Sequence, residues 1–295
     1  MARQRDEGAY LTARVLESIR LSPSLIRVVF DSSGTHGFES SGVPDEIVHL
    51  YFPANGESAP PEMTRRNGVL AHHDGVAREC RNYTVRRWES GRIWIDFVDH
   101  VGGIAAEWAR TAQPGQALGM WGTRSWYQPP DSTDWMLFVA DLPGLPALCR
   151  ALEQLPAGVR AHAIAEVAHA DDVLDVRSDT SITVEWRVAG NGRAPSELSD
   201  AVRAYEIPEG NGYVWFGGEA SAGRAVRKYM RGELRFPADR LAIVGYWRDD
   251  KEVWLERYER VADSLIDDYE RIAATGVGDA EAEIAWDEIL ERAGL

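Results

Sequence analysis

The pattern of hydrophobic residues changes once along the sequence, at a polar and proline-bearing stretch, residues 128–134. Before it, short runs rich in β-branched and aromatic residues alternate with turn residues, which is typical of antiparallel strands. After it, apolar runs such as residues 135–140 alternate with segments of helical period such as residues 145–155. That second pattern predicts a parallel α/β sheet. The chain is therefore predicted to form two folded units joined by a linker.

The first unit is predicted to be a closed, six-stranded antiparallel barrel. Its strands are predicted at residues 10–17, 21–30, 46–52, 81–86, 92–97 and 117–122. The first two strands are joined by a predicted turn at residues 18–20, and residues 53–80 are predicted to be a long irregular loop.

The second unit is predicted to be an open parallel α/β sheet, followed by two amphipathic helices after residue 250. Such helices usually dock on their own chain, and a dimer contact is the alternative. The predicted divisions are residues 1–130 for the barrel, 131–250 for the α/β unit and 251–295 for the helical tail.

Composition excludes several classes of function. The net charge of −15 argues against nucleic-acid or membrane-surface binding, because both need a basic field. No apolar run is long enough to span a membrane, and the polar N-terminus has no signal-peptide pattern, so a soluble cytoplasmic protein is predicted. The two cysteines predict no disulfide framework, and the adjacent His72 and His73 predict no metal site, since neighbouring side chains on an extended chain point apart.

The strand at residues 81–86 carries a pattern that suits a flavin. Alternation places Arg81 and Tyr83 on one face, where a ring can stack on an isoalloxazine and a cation can pair with phosphates. Asn82 and Thr84 lie on the other face, and the Thr84 hydroxyl or backbone can meet the polar edge of the ring system. An ordinary exposed antiparallel strand would carry the same residue types.

A second stretch, residues 96–109, reads as a strand end, a glycine turn and a helix. Gly102 and Gly103 precede a helical pattern that begins with Ile104 and Ala105. The unpaired N–H groups and the dipole at such a helix start form a binding site for a pyrophosphate. Together the two stretches predict a flavin-dinucleotide site.

These two stretches resemble the siderophore-interacting proteins, a branch of the ferredoxin-reductase-like flavoproteins. The resemblance rests on Arg81 to Arg86, on Asp96 to Gly103, on Gly217 to Ser221 and on Gly245 to Arg248, and it covers most of residues 10 to 250. Two positions depart from the family pattern. Thr123 replaces a proline in the segment after the last barrel strand. Pro143 replaces a threonine whose hydroxyl could hold a nicotinamide nucleotide, which leaves backbone contacts for that purpose.

The resemblance implies an FAD-dependent ferric-siderophore reductase that takes electrons from NAD(P)H or reduced ferredoxin and acts on a ferric siderophore. The implied cofactor-binding residues are Arg81, Asn82, Tyr83, Thr84, Val98, His100, Gly102, Gly103, Ile104, Ala105, Arg124, Trp126 and Trp247. The candidate substrate-binding residues are Arg86, Arg248 and Lys251. No acid–base residue is required for outer-sphere electron transfer. Trp126 would also serve as barrel-closing packing, and Trp247 as a cap on the core. A flavin reductase with another acceptor, such as ferredoxin or free flavin, and a siderophore-binding protein without redox function remain alternatives.

Overall fold

Two sheets and a C-terminal pair of helices make up the protein. The computed structural model describes residues 3–5, 10–31, 38–53, 57, 59–66, 69–72, 80–156, 158–176, 182–249 and 251–293. Within those residues, no helix combines the length and the apolar character needed to cross a membrane.

The described residues of the N-terminal half form ten strands. They are β1 (Arg3–Arg5), β2 (Leu11–Ser22), β3 (Leu25–Asp31), β4 (Ile47–Tyr51), β5 (Met63–Arg66), β6 (Val69–His72), β7 (Cys80–Thr84), β8 (Arg87–Glu89), β9 (Arg92–Val98) and β10 (Ala117–Ser125). The main antiparallel sheet has the order β7-β4-β10-β2-β3-β9-β8, and β1 pairs with β10. Alternate residues of β2, β3, β4, β9 and β10 fill one apolar core, and helix α1 (Ile104–Thr111) packs against it.

The sheet is barrel-like but not closed by a continuous strand ladder. Its two outer strands, β7 and β8, are consecutive in the chain and are separated by Val85 and Arg86. Val85 N donates to Glu46 O beside β4, whereas Arg86 N donates to Trp94 O on β9. The chain thus changes partner strands at this dipeptide, and the predicted closed barrel of six strands has an open seam instead.

Two local predictions for this half were wrong. The turn predicted at residues 18–20 lies at Pro23 and Ser24, because β2 continues to Ser22 and proline presets the backbone for a turn. The irregular loop predicted for residues 53–80 contains the hairpin of β5 and β6. Residues 54–56, 58, 67–68 and 73–79 of that loop, His73 among them, lie outside the described part of the chain.

The C-terminal half contains the predicted open parallel sheet. Its strands are β11 (Trp135–Ala140), β12 (Arg160–Val167), β13 (Ile182–Val188), β14 (Gly212–Glu219) and β15 (Leu241–Trp247), in the order β13-β12-β11-β14-β15. Its helices are α2 (Leu145–Glu153), α3 (Leu198–Ala204) and α4 (Ala220–Lys228). Strands β11 and β14 are buried along their whole length, since apolar clusters cover both faces of the sheet.

The chain ends in two helices, α5 (Lys251–Ala273) and α6 (Asp279–Arg292). They share a small apolar cluster around Leu265, Ile289 and Leu290. Asp287 on α6 pairs with Arg227 on α4, so the helices dock on their own chain. The predicted division at residues 130 and 250 stays a prediction.

Buried polar contacts join the two sheets. Arg150 on α2 donates from Nη1 to Val85 O at 2.6 Å and lies 3.6 Å from Glu46 Oε2, a carboxylate that is fully buried. Asp45 accepts from the Trp126 N–H at 3.0 Å and from Trp215 Nε1 at 3.1 Å. Both carboxylates belong to the segment before β4, so this segment is fixed to the second sheet.

A third contact lies at the β2–β3 turn. Asp172 accepts from Ser22 Oγ at 2.6 Å and from the Ser24 N–H at 2.9 Å. Burial by itself would raise the pKa of the Asp172 carboxyl. The hydrogen bonds that the carboxylate accepts have the larger combined effect, so the pKa lies below its ordinary value. Separating the sheets would break all three contacts of these buried side chains, and buried polar groups that lose their partners are costly.

We expect Arg150→Met to lower the free energy of unfolding by about 3 kcal/mol, because it leaves the buried Glu46 carboxylate without its cation. Urea unfolding of the full chain measures this loss. The matched control is Arg271→Met, which removes an exposed ion pair with Asp268 and should change stability by about 0.5 kcal/mol or less. Equal losses in the two variants would contradict the expectation.

Candidate functional site

The candidate cofactor site lies along the open seam between β7 and β9. Among the described strands β7 pairs with β4 alone, and the chain first bonds to β9 after β7 has ended, where Arg86 N donates to Trp94 O at 2.9 Å. The Tyr83 ring lies at the seam, and its centroid is 4.4 Å from that of Phe97 on β9. One edge of β7 is therefore open beside the chain that leads to α1.

The four predicted residues on β7 divide between two faces, as their alternation predicts. Arg81 and Tyr83 oppose barrel-core residues of β4, so their side chains face the inner side of the sheet. Asn82 is exposed on the outer side, and Thr84 is buried there at 4% exposure. Burial raises the pKa of the Tyr83 phenol, which keeps the ring neutral.

The glycine turn that leads into α1 lies at the end of the seam. Gly102 and Gly103 have φ of 76° and 88°, a region that favours glycine. A Cβ at Gly103 would also lie 3.0 Å from His100 Cε1. Gly103 caps α1 without a side-chain hydrogen bond, so the N–H groups of the first turn, which begins at Ile104 and Ala105, suit an anionic ligand.

Charged side chains hold this turn in place. Asp99 accepts from Arg20 at 2.7 Å and from Arg110 at 2.5 Å, and Arg110 also donates to His100 O. Burial raises the pKa of the Asp99 carboxyl, but these two guanidinium groups lower it more. Val98, the last residue of β9, is half-buried against the apolar cluster between the sheets.

Arg124 and Trp126 lie on the other side of β4. The Arg124 guanidinium carbon is 4.8 Å from the Trp126 ring centroid, a cation–π contact. The Trp126 N–H donates to Asp45, whose pKa is raised by burial. Both predicted residues therefore lie at the junction of the sheets, next to the segment that precedes β4.

Two motifs far apart in sequence meet at the interface. The buried hydroxyl of Tyr246, near the end of β15, lies close enough to Thr84 on β7 for the threonine hydroxyl to lower the pKa of Tyr246, against a larger rise from burial. Neither hydroxyl makes a well-formed hydrogen bond within the described residues. Buried hydroxyls without partners are costly. Two hydroxyls of this kind would suit the polar edge of a flavin, so the residues present fit FAD.

Trp247 is oriented by a buried carboxylate at the carboxyl edge of the parallel sheet. Its Nε1 donates to Asp141 Oδ2 at 2.6 Å, and the Glu219 N–H donates to the same oxygen at 2.8 Å. Asp141 follows β11, Glu219 ends β14 and Trp247 ends β15, so three neighbouring strands meet at the edge where ligands bind in such sheets. Burial raises the pKa of Asp141 to about 7.

The loop after β11 leaves no backbone donor for a nucleotide phosphate. Of residues 142–146, the two prolines lack an N–H, and the other three N–H groups donate to Asp141 O or to Asn191 Oδ1. A Cβ at Gly144 would lie 1.8 Å from Gly217 O, so the loop packs directly on β14. Glu219 Oε2 accepts from the first N–H groups of α4, so that helix start is also occupied.

The three predicted substrate-binding residues lie apart. Arg86 forms a two-point ion pair with Glu153 on α2 and lines a cleft of about 620 Å³ together with Arg27 and Arg150. Arg248 stacks on Trp254 at the start of α5. Lys251 is exposed at the first residue of that helix. The described contacts bring Arg248 and Lys251 to one region and place Arg86 in another.

Sequence reasoning missed several residues that build the site. Asp141 had a usable signal, since it directly follows a buried parallel strand. Asp45 had none, because its two partners lie 81 and 170 residues further along the chain. Tyr246 belongs to the motif from Gly245 to Arg248 that the sequence shows. Only the folded structure shows that it lies near Thr84.

Asp141→Asn should flatten the pH dependence of stability between pH 5 and pH 7. The folded pKa of about 7 lies above the ordinary value of 3.8, so the folded state binds more protons between these values and loses stability as pH rises through them. This single group contributes a slope of up to about −1.4 kcal/mol per pH unit. Asparagine still offers an oxygen to Trp247 Nε1. Urea unfolding across this range measures the slope, and equal slopes in both proteins would contradict the prediction.

Comparison with known proteins agrees with this geometry. The model of the siderophore-interacting FAD-binding domain matches residues 14–126, and the siderophore-interacting protein model matches residues 133–250. Ferredoxin reductases share the arrangement of the two sheets, as in the reductase of carbazole 1,9a-dioxygenase, with a TM-score of 0.58 at 14% identity over 81% of this chain and 70% of that one. That likeness confirms the predicted fold class.

Characterised relatives extend over nearly the whole matched region. Ferric vibriobactin reductase ViuB of Vibrio cholerae is 28% identical over 249 residues, which are 81% of this chain and 90% of ViuB. The NADPH-dependent ferric-chelate reductase of Escherichia coli is 28% identical over 250 residues, 83% of this chain and 95% of the relative. A siderophore utilization protein from T. fusca has a TM-score of 0.72 at 29% identity and covers 85% of this chain and 97% of its own. The chain belongs to the siderophore-interacting protein family and is an FAD-dependent oxidoreductase.

Proposed function

We propose that this protein reduces the iron of a ferric siderophore with FAD and so releases Fe(II) for use in the cell. The observation that carries the proposal is the meeting of Thr84, from one matched segment, with Tyr246, from the other, where two buried hydroxyls lie close together without a well-formed hydrogen bond among the described residues. Relatives named for ferric reduction over most of the chain support the substrate class. Fe(II) carries less charge than Fe(III), so hard oxygen ligands hold it less tightly.

The chain's own residues would bind the cofactor and exclude water from it. Tyr83 would stack on the ring system, Arg81 and the open start of α1 would hold the phosphates, and Thr84 would meet the polar edge of the flavin. Trp247, held by Asp141, would cover the flavin from the second sheet. Bound FAD supplies the means to take up two electrons and give them singly to two ferric ions.

The proposed electron donor is NAD(P)H or reduced ferredoxin. One relative is named as NADPH-dependent. In this chain, however, residues 142–146 have no free backbone N–H for a phosphate, and Pro143 has no hydroxyl. These features favour the protein donor. We further propose a cytoplasmic location, which accords with the free thiols of Cys80 and Cys149.

The reductase prediction is tested with anaerobic FAD-loaded protein whose flavin is photoreduced, so that no biological donor is needed. We expect a ferric siderophore to restore the oxidised flavin spectrum with about two Fe(II) per FAD, trapped by a ferrous chelator. Parallel reductions with NADH, NADPH and reduced ferredoxin identify the donor. A reduced flavin that ignores ferric siderophores but is oxidised by free flavin or ferredoxin would favour another acceptor and contradict the proposal.

Tyr83→Ala should weaken FAD binding about tenfold or more, because it removes the ring proposed to stack on the flavin. Tyr83→Phe keeps the ring and should bind FAD nearly as the wild type does. Tyr269→Ala, an exposed aromatic residue on α5, is the matched control. Equilibrium titration of flavin fluorescence measures all four proteins. Full FAD affinity in Tyr83→Ala would show that the stacking assignment is wrong.

A further inference from the structure

The two oxygens of the Asp141 carboxyl group have different surroundings. Oδ2 accepts from Trp247 Nε1 at 2.6 Å and from the Glu219 N–H at 2.8 Å. Oδ1 is buried and has no hydrogen-bond partner within the described residues. A buried carboxylate oxygen without a donor is costly. The group therefore lacks a hydrogen at Oδ1.

A proton is the ligand that suits Oδ1. Asp141 is only 1% exposed, and its carboxyl packs on the backbone of β14. A Cβ at Gly218 would lie 2.9 Å from Oδ2 and 3.2 Å from Oδ1, so the absence of a side chain at Gly218 makes room for the carboxyl. A water molecule would need its own space and several polar partners. A proton needs neither, and a buried neutral acid costs less than a buried unpaired charge.

Two further carboxylates lie beside Asp141 at the carboxyl edge of the parallel sheet. Ala140 on β11 pairs with Ala165 on β12, so Asp141 and Glu166 are the next residues on adjoining strands. On the other side, the Glu219 carboxylate caps α4. Glu166 is 1% exposed and Glu219 is 8% exposed. Like charges this close disfavour the ionised form of each carboxyl group.

No cation forms an ion pair with Asp141 in the part of the chain that the structure describes. The other charged or titratable groups around this edge are Arg187 on β13, Tyr246 on β15, and Arg248 and Asp249 directly after β15. Arg187 is held by two other glutamates, and Arg248 stacks on the Trp254 indole. Burial keeps Tyr246 neutral. Burial, and to a lesser extent Glu166, raise the pKa of Asp141 to about 7 against the hydrogen bonds that it accepts.

We propose that Asp141 is a positioning residue for Trp247 that also takes up a proton at Oδ1 when the flavin beside Trp247 is reduced. This inference rests on the proposed function, in which Trp247 covers the flavin. Reduction by two electrons and one proton adds a negative charge to the site, and such a charge raises the pKa of a nearby carboxyl group. Asp141 then takes a second proton from the solvent. Both protons return to the solvent when the two electrons pass to two ferric ions.

Ionised Asp141 would make reduction of the flavin harder. Below pH 7 the carboxyl group is already neutral and does not oppose the added negative charge. Above pH 7 it is ionised while the flavin is oxidised, so reduction must bring the extra proton. Each further pH unit should then disfavour reduction by up to about tenfold, which is about 30 mV for a two-electron couple.

Nuclear magnetic resonance of isotope-labelled, full-length, FAD-loaded protein tests the proton site without turnover. The indole N–H resonance of Trp247 is identified among those of the eleven tryptophans by its loss in Trp247→Phe. In the wild type we expect this resonance to shift with a midpoint near pH 7, as the acceptor of its hydrogen bond ionises. In Asp141→Asn it should stay fixed, because an amide keeps the acceptor oxygen but does not ionise.

Glu166→Gln should lower the midpoint of the Trp247 titration by about one pH unit, because it removes a neighbouring negative charge. Glutamine still offers an oxygen to the Glu197 N–H, and the Asp141 and Trp247 side chains stay in place. Asp268→Asn removes a carboxylate from the surface of α5 and should leave the midpoint unchanged.

Redox potentials of the same proteins, measured from about pH 6 to about pH 9, test the coupling to the flavin. The wild type and Asp141→Asn should have nearly equal potentials at the low end. The potential of the wild type should fall below that of the variant by an amount that grows as pH rises, whereas a merely structural role would give a constant difference.

A Trp247 resonance that does not titrate, an equal titration in Asp141→Asn, an unshifted midpoint in Glu166→Gln, or a constant difference in potential would overturn the inference. Any of these results in a protein that still reduces ferric siderophores would leave the proposed function standing. A difference in potential that grows with pH, in a protein that does not reduce ferric siderophores, would support the proton site and refute the proposed reductase.

Discussion

The dipeptide of Val85 and Arg86 sets the geometry of the site, because the chain changes partner strands there. The Val85 N–H bonds beside β4, and the Arg86 N–H bonds to Trp94 on β9. The carbonyl of Val85 accepts from Arg150 on α2. The dipeptide that opens the seam is thus held by the second sheet's own helix, so the seam and the interface depend on one set of hydrogen bonds.

Charges of opposite sign are arranged around the carboxyl edge of the parallel sheet. Asp141 and Glu219 are buried and face inward, where they orient Trp247 and cap α4. The Arg248 guanidinium stacks on Trp254 of α5, and Arg224 on α4 lies near enough to lower the pKa of Arg248. Salt screening limits the distance over which exposed charges interact to about 8–10 Å. A local pair of cations can therefore act on an anion even though the chain as a whole is acidic.

The sequence predicted features that depend on neighbouring residues, such as strands and their faces. It did not predict contacts that depend on packing between distant segments. Strand and helix periods predicted both sheets, and the alternation at Arg81 to Thr84 predicted which side chains share a face. The turn was predicted too early, at residues 18–20, because the part of β2 that precedes the true turn is exposed and does not alternate between buried and exposed residues. The open seam was missed because partner exchange at Arg86 leaves no mark in composition. Asp45 and Arg150 act across the interface, so only the folded chain identifies them.

The three buried links around Asp45, Arg150 and Asp172 have a kinetic consequence. They tie the two sheets together from the segment before β4, from α2 and from the β2–β3 turn. Hinge opening between the sheets would leave all three polar groups without their hydrogen-bond partners at once, so such opening should be rare. We therefore expect the sheets to move as one body during turnover.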